Sequence, residues 1–471
     1  MERKTEMSTD EKKSLIQKSE ISRRSFLGGA AAVAASVSIV PRHVLGGPGH
    51  RAPSDKLNVA CVGLGGKGFS DSEAMIEENV IALCDVDKKR ASQKHGQEEN
   101  RRNAFDNFPK AKFYKDFRKM LEKEKEIEAI TVSTPDHTHA VIAMMAIKMG
   151  KHVFVQKPLT HTVYEARVLA RAAKKAGVVT QMGNQGHARE GGKLVCEWLW
   201  DGAIGDVREA HCWTNRPIWP QGIEAPKEIP SVPPTLDWDL WLGPAKWRPY
   251  HPAYVPFSWR GWWDFGTGAL GDMGAHIMDH AYWALKLKYP TSVQASSTPY
   301  TKDSPPMAEI VTYEFPARGS MPPVKMTWSD GGLMPPRPVD MEPGRRIGDR
   351  GGGILFIGEK GTLMCSVYGD NPRIIPESKM RAYKRPEKTI PRSPGIHAEW
   401  IEACKKGDPK LATTNFEYSG PLTETMMLGN VAVQIQDKHT KLLYDGEKGA
   451  ITNLPEANDL LHMEYREGWS L

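Results

Sequence analysis

Leu57-Asn58-Val59-Ala60-Cys61-Val62 runs directly into Gly63-Leu64-Gly65-Gly66-Lys67-Gly68. A short apolar run bounded by glycines reads as a buried parallel strand ending in a tight turn. Gly63, Gly65 and Gly68 are spaced to permit that turn, close backbone approach to a pyrophosphate, and packing of the following helix. Glycines in this pattern are weak evidence alone. Here Asp85 follows Gly63 by 22 residues and ends the next apolar run, Val80-Ile81-Ala82-Leu83-Cys84. A carboxylate at that point bonds the ribose hydroxyls of a dinucleotide and repels a 2′-phosphate. NAD is therefore expected over NADP, although Lys88, Lys89 and Arg90 keep NADP open.

Working outward, Ile127–Val132, His152–Val155 and Val178–Gln181 are further apolar runs, with helical patterns at Ala140–Met149 and Val163–Ala176. Strands alternating with helices predict a parallel sheet with right-handed crossovers. After about residue 184 the pattern changes. A helix near Gly192–Asp201 leads to a strand at Val207–Thr214 and then a Pro- and Trp-rich stretch. Later strands follow without regular helices between them, at Ser292–Ser297, Ala308–Phe315, Val324–Trp328, Gly353–Ile357 and Thr362–Val367. The fold class is thus α/β: a Rossmann domain plus a second α/β domain with an open, largely antiparallel sheet. The expected organisation is a targeting segment 1–46, a dinucleotide-binding domain 55–184, and a substrate and oligomerisation domain 185–394 carrying a Trp/Pro-rich insertion 213–265. Helices at Gly395–Lys406 and Glu417–Lys438 and a tail complete 395–471.

Ser22-Arg23-Arg24-Ser25-Phe26-Leu27 precedes a weakly apolar run from Gly28 to Val40. This resembles a twin-arginine export signal, read by the export machinery for folded proteins. The run is too short to span a bilayer, which needs roughly 20 residues, so no stable membrane anchor is expected. A net charge of +6 is small for this length, and no basic stripe is interleaved with aromatics, so nucleic acid is not an expected partner. None of the six cysteines forms a C-x-x-C pair, and they read as small buried hydrophobes.

Three motifs fall at strand ends or in the second half of the chain: Thr134-Pro135-Asp136-His137-Thr138-His139, Gln156-Lys157-Pro158, and Gly271-Asp272-Met273-Gly274-Ala275-His276. Together with the glycine turn, this set resembles the Gfo/Idh/MocA oxidoreductases over nearly all of the chain after the signal, most closely their exported members. The resemblance implies a catalytic Lys157 beside the nicotinamide, with Asp272 and His276 supplying further catalytic groups. It also implies a homo-oligomer. The family usually has Glu where this chain has Gln156. Thr134, Pro135, His139, Gln156 and Lys157 join Gly63, Gly65, Gly68 and Asp85 as expected cofactor contacts, with His139 a candidate support for its own loop.

The chemistry suits these residue types. Oxidising an alcohol needs a base for the hydroxyl proton while hydride leaves the same carbon, and His titrates in the right range. Asp272 and His276, four apart, share one helix face; Asp272 is read as orienting the imidazole or meeting a substrate hydroxyl. Lys157 would stabilise the alkoxide. The glycines from Gly266 to Gly274 are expected to let this backbone approach the cofactor. Asp272, His276 and His280 at i, i+4 and i+8 could instead hold zinc; no metal is the expectation.

Eight of the 14 Trp fall between positions 210 and 265. Their faces suit a pyranose ring, or serve as the private core of a loop without regular structure. Asn184, His187, Arg260, Trp263 and Asp264 are the candidate substrate contacts. The expected function is NAD-dependent oxidation of a secondary alcohol of a sugar or glycoside outside the cytoplasm, with the cofactor tightly retained. The alternatives are an NAD-assisted glycoside-cleaving enzyme without net redox change and a non-catalytic sugar-binding protein.

Overall fold

The apolar runs around the glycine turn form one six-stranded sheet in the order β3-β2-β1-β4-β5-β6. Its strands are β1 (Asn58–Val62), β2 (Asn79–Cys84), β3 (Lys112–Tyr114), β4 (Ala129–Val132), β5 (His152–Val155) and β6 (Thr180–Met182), all parallel. The computed structural model describes residues 55–471; the expected export signal around Arg23 and Arg24 lies outside the described residues. The sheet is buried on both faces, so its inner strands carry continuous apolar sequence rather than alternation. Strand order reverses between β1 and β4, and there the register aligns Val62 with Val132 and Val132 with Val155. Gly63, Ser133 and Gln156 therefore leave the sheet side by side at its carboxyl edge, the usual ligand crevice of such sheets.

Helix Val163–Ala176 shows why the intervening segments fold as they do. Thr162 and Glu165 form a reciprocal capping box at its start, and Gly177 ends it in the left-handed region at φ 66°. Val163, Ala166, Leu169 and Ala173 supply its buried stripe. The predicted start at Ala140 moves back to Asp136, because Pro135 caps a helix Asp136–Lys148 that is buried through most of its length.

The second sheet has nine strands in the order β13-β12-β11-β7-β10-β9-β8-β14-β15. They are β7 (Val207–Thr214), β8 (Ser292–Ser297), β9 (Glu309–Phe315), β10 (Val324–Ser329), β11 (Gly352–Gly358), β12 (Gly361–Cys365), β13 (Arg373–Ile375), β14 (Leu442–Asp445) and β15 (Ala450–Ile451). Only β7 and β10 pair in parallel. Along β9 burial alternates, with Val311, Tyr313 and Phe315 facing inward. Behind that face lie helices Gly268–Ala284 and Phe416–Gln434. Their contact needs small residues: a Cβ on Gly274 would lie 2.8 Å from Met426 Sδ, and one on Gly429 would lie 2.2 Å from Tyr313 Oη.

Two later pieces return to the first sheet. Helix Ile396–Lys406 buries Ile396, Trp400 and Ala403 with Val59, Leu83 and Phe154. The segment 462–471 runs back over the insertion, where the Arg466 guanidinium donates to Asp239 Oδ1 at 2.6 Å and Gly243 O at 2.6 Å. Its Trp469 packs on Phe117 and beneath Arg118. All six cysteines are free and buried. No helix among the described residues is long and apolar enough to cross a membrane.

Candidate active site

One cleft of about 840 Å³ runs from the glycine turn past the ends of β2, β4 and β5 to helix Gly268–Ala284. Gly63 has φ +82°, and a Cβ there would lie 2.4 Å from Ser133 O; a Cβ on Gly68 would lie 2.2 Å from Gly63 O. Only glycine fits either position, and the result is a tight bare-backbone cradle at a helix start, fitted to a pyrophosphate. Asp85 Oδ2 accepts from Leu64 N at 2.8 Å and Oδ1 from Asp87 N at 2.9 Å, so the turn itself holds the carboxylate. Burial pushes Asp85 up to about 6, against these two bonds. Arg90 lies across the turn, its Cγ 2.9 Å from where a Gly65 Cβ would stand. These residues fit a dinucleotide.

At the other end of the cleft, Lys157 Nζ lies 2.6 Å from Asp272 Oδ1 and 2.9 Å from Asp272 O. Arg260 joins two acids: its Nε is 3.3 Å from Asp272 Oδ1, and its Nη1 donates to Asp136 Oδ1 at 2.9 Å. Asp136 is fully buried and also accepts from Thr267 Oγ1 at 2.7 Å, tying the β4 loop to the start of helix Gly268–Ala284. Burial alone would raise the Asp272 carboxyl, but the charges of Lys157 and Arg260 hold it far below its usual range. Burial lowers Lys157, and Arg260 adds to the effect while Asp272 opposes it. His276 sits one turn on, edge-on to Tyr368 with ring centroids 5.0 Å apart, and its Nδ1 is buried without a protein partner. Burial, then the Lys157 charge, pushes it well below the ordinary histidine value, so the ring is neutral.

Asp272 thus hydrogen-bonds Lys157 and acts on His276 through its charge alone, with no hydrogen bond to orient the ring. The glycines of this helix also pack tightly against the protein. A Cβ on Gly271 would strike Thr267 Oγ1, and Gly274 seats the helix on Met426.

Thr134, Pro135, Gln156 and Lys157 line the cleft; His139 does not. Its Nε2 and Nδ1 face Thr134 O at 2.8 Å and Pro158 O at 2.9 Å, so it staples the β4 loop to the lysine turn from below.

Of the candidate substrate residues only Arg260 lines the cleft. His187 turns inward, with Nδ1 3.1 Å from both Asp279 oxygens and its ring stacked on Trp283. Asn184 is fully buried, and its neighbour Gln185 faces the cleft instead. Trp263 donates to Thr301 O at 3.2 Å, and Asp264 pairs with Arg248 at 2.6 Å, both behind the cleft wall. Three of the eight tryptophans, Trp238, Trp241 and Trp262, form a core of their own with Tyr254 and Phe265, and Trp241 also borders the cleft. Trp219 and Trp259 do reach the cleft, both within cation–π range of Arg260. Gln185 shares the expected cleft-facing turn with Asn184 and His187, and Asp136 stands within the motif after β4, but no spacing signal singles out Tyr368 or the roles of Asp136, Trp219 and Trp259. Among the described residues no three His, Cys, Asp or Glu side chains converge on one point.

A six-stranded Rossmann sheet with a glycine cradle, joined to an open mixed sheet that brings an acid–lysine–histidine cluster to the same cleft, defines an NAD-binding oxidoreductase fold. Residues 57–184 match the oxidoreductase family's NAD-binding Rossmann fold, and residues 208–319 match its C-terminal α/β domain. The chain belongs to the Gfo/Idh/MocA oxidoreductase family. It is 27% identical over 167 residues to a levoglucosan dehydrogenase of Pseudarthrobacter phenanthrenivorans, a match covering 35% of each chain. It is 28% identical over 212 residues to a glycosyl hydrolase family 109 protein of a Shewanella species, covering 40% of this chain and 44% of that one. The matched stretches thus span well under two thirds of these relatives. Among solved structures, levoglucosan dehydrogenase in complex with NADH and levoglucosan aligns with a TM-score of 0.54 at 16% identity, over 82% of this chain and 99% of the other. At that identity the likeness speaks for the fold.

Proposed function

We propose that this protein oxidises a secondary alcohol of a sugar or glycoside to a keto sugar, using NAD that it retains. The observation that carries the reading is the placement of Lys157, Asp272 and His276 on one wall of the cleft whose far end is the glycine cradle. NAD bound there supplies a hydride acceptor. Lys157, fixed by two bonds to Asp272, presents an ammonium to the substrate oxygen and stabilises its developing negative charge. His276, neutral and lining the cleft beside Lys157, takes the hydroxyl proton. Proton uptake by His276 is opposed by the Lys157 charge and favoured by Asp272 and Asp279. Trp219 and Trp259 offer faces to the C–H side of a pyranose, and Arg260 a donor to its hydroxyls.

What overlies the cleft supports retention. Asp237 N donates to Val86 O at 2.9 Å, laying the insertion across the end of β2 beside Asp85, and Arg466 braces that crossing. An exported enzyme meets no evident pool of free NAD, and Arg23-Arg24 supports an extracytoplasmic site of action with cofactor loaded before export. We also propose a homo-oligomer by analogy with the family. A second reading, NAD-assisted glycoside cleavage with no net redox change, is favoured by the similarity to the glycosyl hydrolase family 109 protein.

Mass spectrometry of cofactor and products after incubation with a glycoside panel tests both. A keto sugar with reduced cofactor supports oxidation, a released monosaccharide with NAD unchanged supports cleavage, and neither product sinks both.

A further inference from the structure

Asp71 lies in helix Lys67–Glu73, just after the glycine turn, and is fully buried. Its Oδ2 accepts from Gln156 Nε2 at 2.8 Å and Ser133 Oγ at 2.7 Å; its Oδ1 lies 2.7 Å from Lys67 Nζ and 2.9 Å from His397 Nε2. One carboxylate therefore joins the segments that follow β1, β4 and β5, which together wall the cleft. Burial would raise Asp71, but His397 and Lys67 outweigh it and hold it below the ordinary range, so it is ionised. An ionised carboxylate only accepts hydrogen bonds. Gln156 must then turn Nε2 toward it, which leaves Oε1 on the side of Lys157 N, 3.3 Å away. Gly183 makes space for this amide, since a Cβ there would lie 2.6 Å from Gln156 Nε2.

The glutamate that the family places here would set two buried carboxylates against each other at that 2.8 Å contact. We propose that Asp71 is a positioning residue of the lysine turn: Asp71 and Gln156 share a single negative charge, and its seat on Asp71 holds the glycine turn and the Lys157 turn in register for the dinucleotide. The inference rests on the oxidoreductase reading, because it assigns Lys157 a place beside the nicotinamide. It gives the amide at position 156 a task a carboxylate could not perform, donation to Asp71.

The pair also sets the field at Lys157. Asp272, Arg260, Asp136 and His276 surround the ammonium, and no carboxylate is adjacent to it in sequence. Moving the charge from Asp71 to position 156 would bring it to the neighbouring residue and raise the proton affinity of Lys157.

The test is a charge-swap cycle on full-length protein, with NADH affinity read directly by tryptophan quenching and with thermal melting read in parallel. Gln156→Glu is expected to weaken NADH by about tenfold or more and Asp71→Asn by less. The double variant Asp71→Asn/Gln156→Glu should recover most of the loss, the mark of contacting residues. Should Gln156→Glu fail to fold, recovery of folded, NADH-binding protein in the double variant is the same result. In the double variant the pH profile of sugar-dependent reduction should also move to higher pH. Wild-type affinity in Gln156→Glu, or a double variant no better than the single, overturns the proposal. A wild-type protein that binds NADH but reduces nothing with any sugar would instead count against the oxidoreductase reading, with the charge-swap cycle still read from binding.

Discussion

Asp85 combines two demands that conflict at low pH. It holds the glycine turn through Leu64 N and Asp87 N, and it faces the cleft where a ribose would lie. Its carboxyl is raised to about 6 by burial, so below that value it becomes protonated and loses acceptor strength. NAD affinity is therefore expected to fall as pH drops through about 6, and Asp85→Asn should flatten that dependence, both measurable by calorimetric titration. Asp85→Ala should weaken NAD more than NADP, because it also removes the repulsion of a 2′-phosphate; equal losses would sink the role given to Asp85. At the other end, Lys157→Ala and His276→Ala should each cut sugar-dependent reduction by roughly 10²-fold or more, with NAD occupancy little changed. Asp272→Asn should fall between wild type and Lys157→Ala, since the backbone bond from Lys157 to Asp272 O survives it.

Placement at the cleft was legible in the sequence where a motif fixed both residue type and strand end, as for Gly63, Asp85 and Lys157. Asp71 was not legible. Ser133, Gln156 and His397 meet it across 62, 85 and 326 residues, and nothing local announces a buried carboxylate. His187 and Asp264 misled because a polar residue near a strand end or a tryptophan reads as cleft-facing. Whether its partner is a substrate or Asp279 is settled only by packing.

Among the elements, the continuous apolar runs of β1, β2, β4 and β5 were readable because burial on both faces dictates the pattern. The short strands β3, β13, β14 and β15, at or next to a sheet edge, were not: two to four residues carry too little periodicity. β9 and β10 also hold a feature with a measurable consequence. Glu309 and Asp330 are both buried; Glu309 N donates to Asp330 Oδ1 at 2.8 Å, and Glu309 Oε1 has no partner. Burial raises both acids, Glu309 strongly and Asp330 to about 7. The folded state thus binds protons more tightly than the unfolded chain, whose carboxyls titrate near about 4. Stability should fall as pH rises from about 4 to about 7 on this account. Glu309→Gln should raise Tm at neutral pH and lose that advantage in acid; a gain independent of pH would contradict the assignment.

At the scale of the molecule, the insertion and the segment 462–471 close over a cleft that the Rossmann sheet opens. Arg466 and Trp469 bind the insertion and the helix of Phe117 to one another. Arg466→Ala, or removal of 462–471, should speed loss of bound NAD on dilution, followed by cofactor fluorescence after reduction; an unchanged release rate would show that the crossing does not retain it. The two-domain layout was readable from the switch between alternating and strand-only patterns. This return of the chain was not, because its contacts join residues more than 200 positions apart.

The most direct measurement is single-turnover reduction of the retained cofactor, followed at the NADH absorbance band after mixing purified protein with a sugar and glycoside panel. The account predicts that at least one sugar reduces bound NAD in the wild-type protein, yielding a keto sugar, and that Lys157→Ala keeps the NAD but loses the signal. Reduction at the wild-type rate in Lys157→Ala, or none with any sugar by a protein shown to hold NAD, would contradict it.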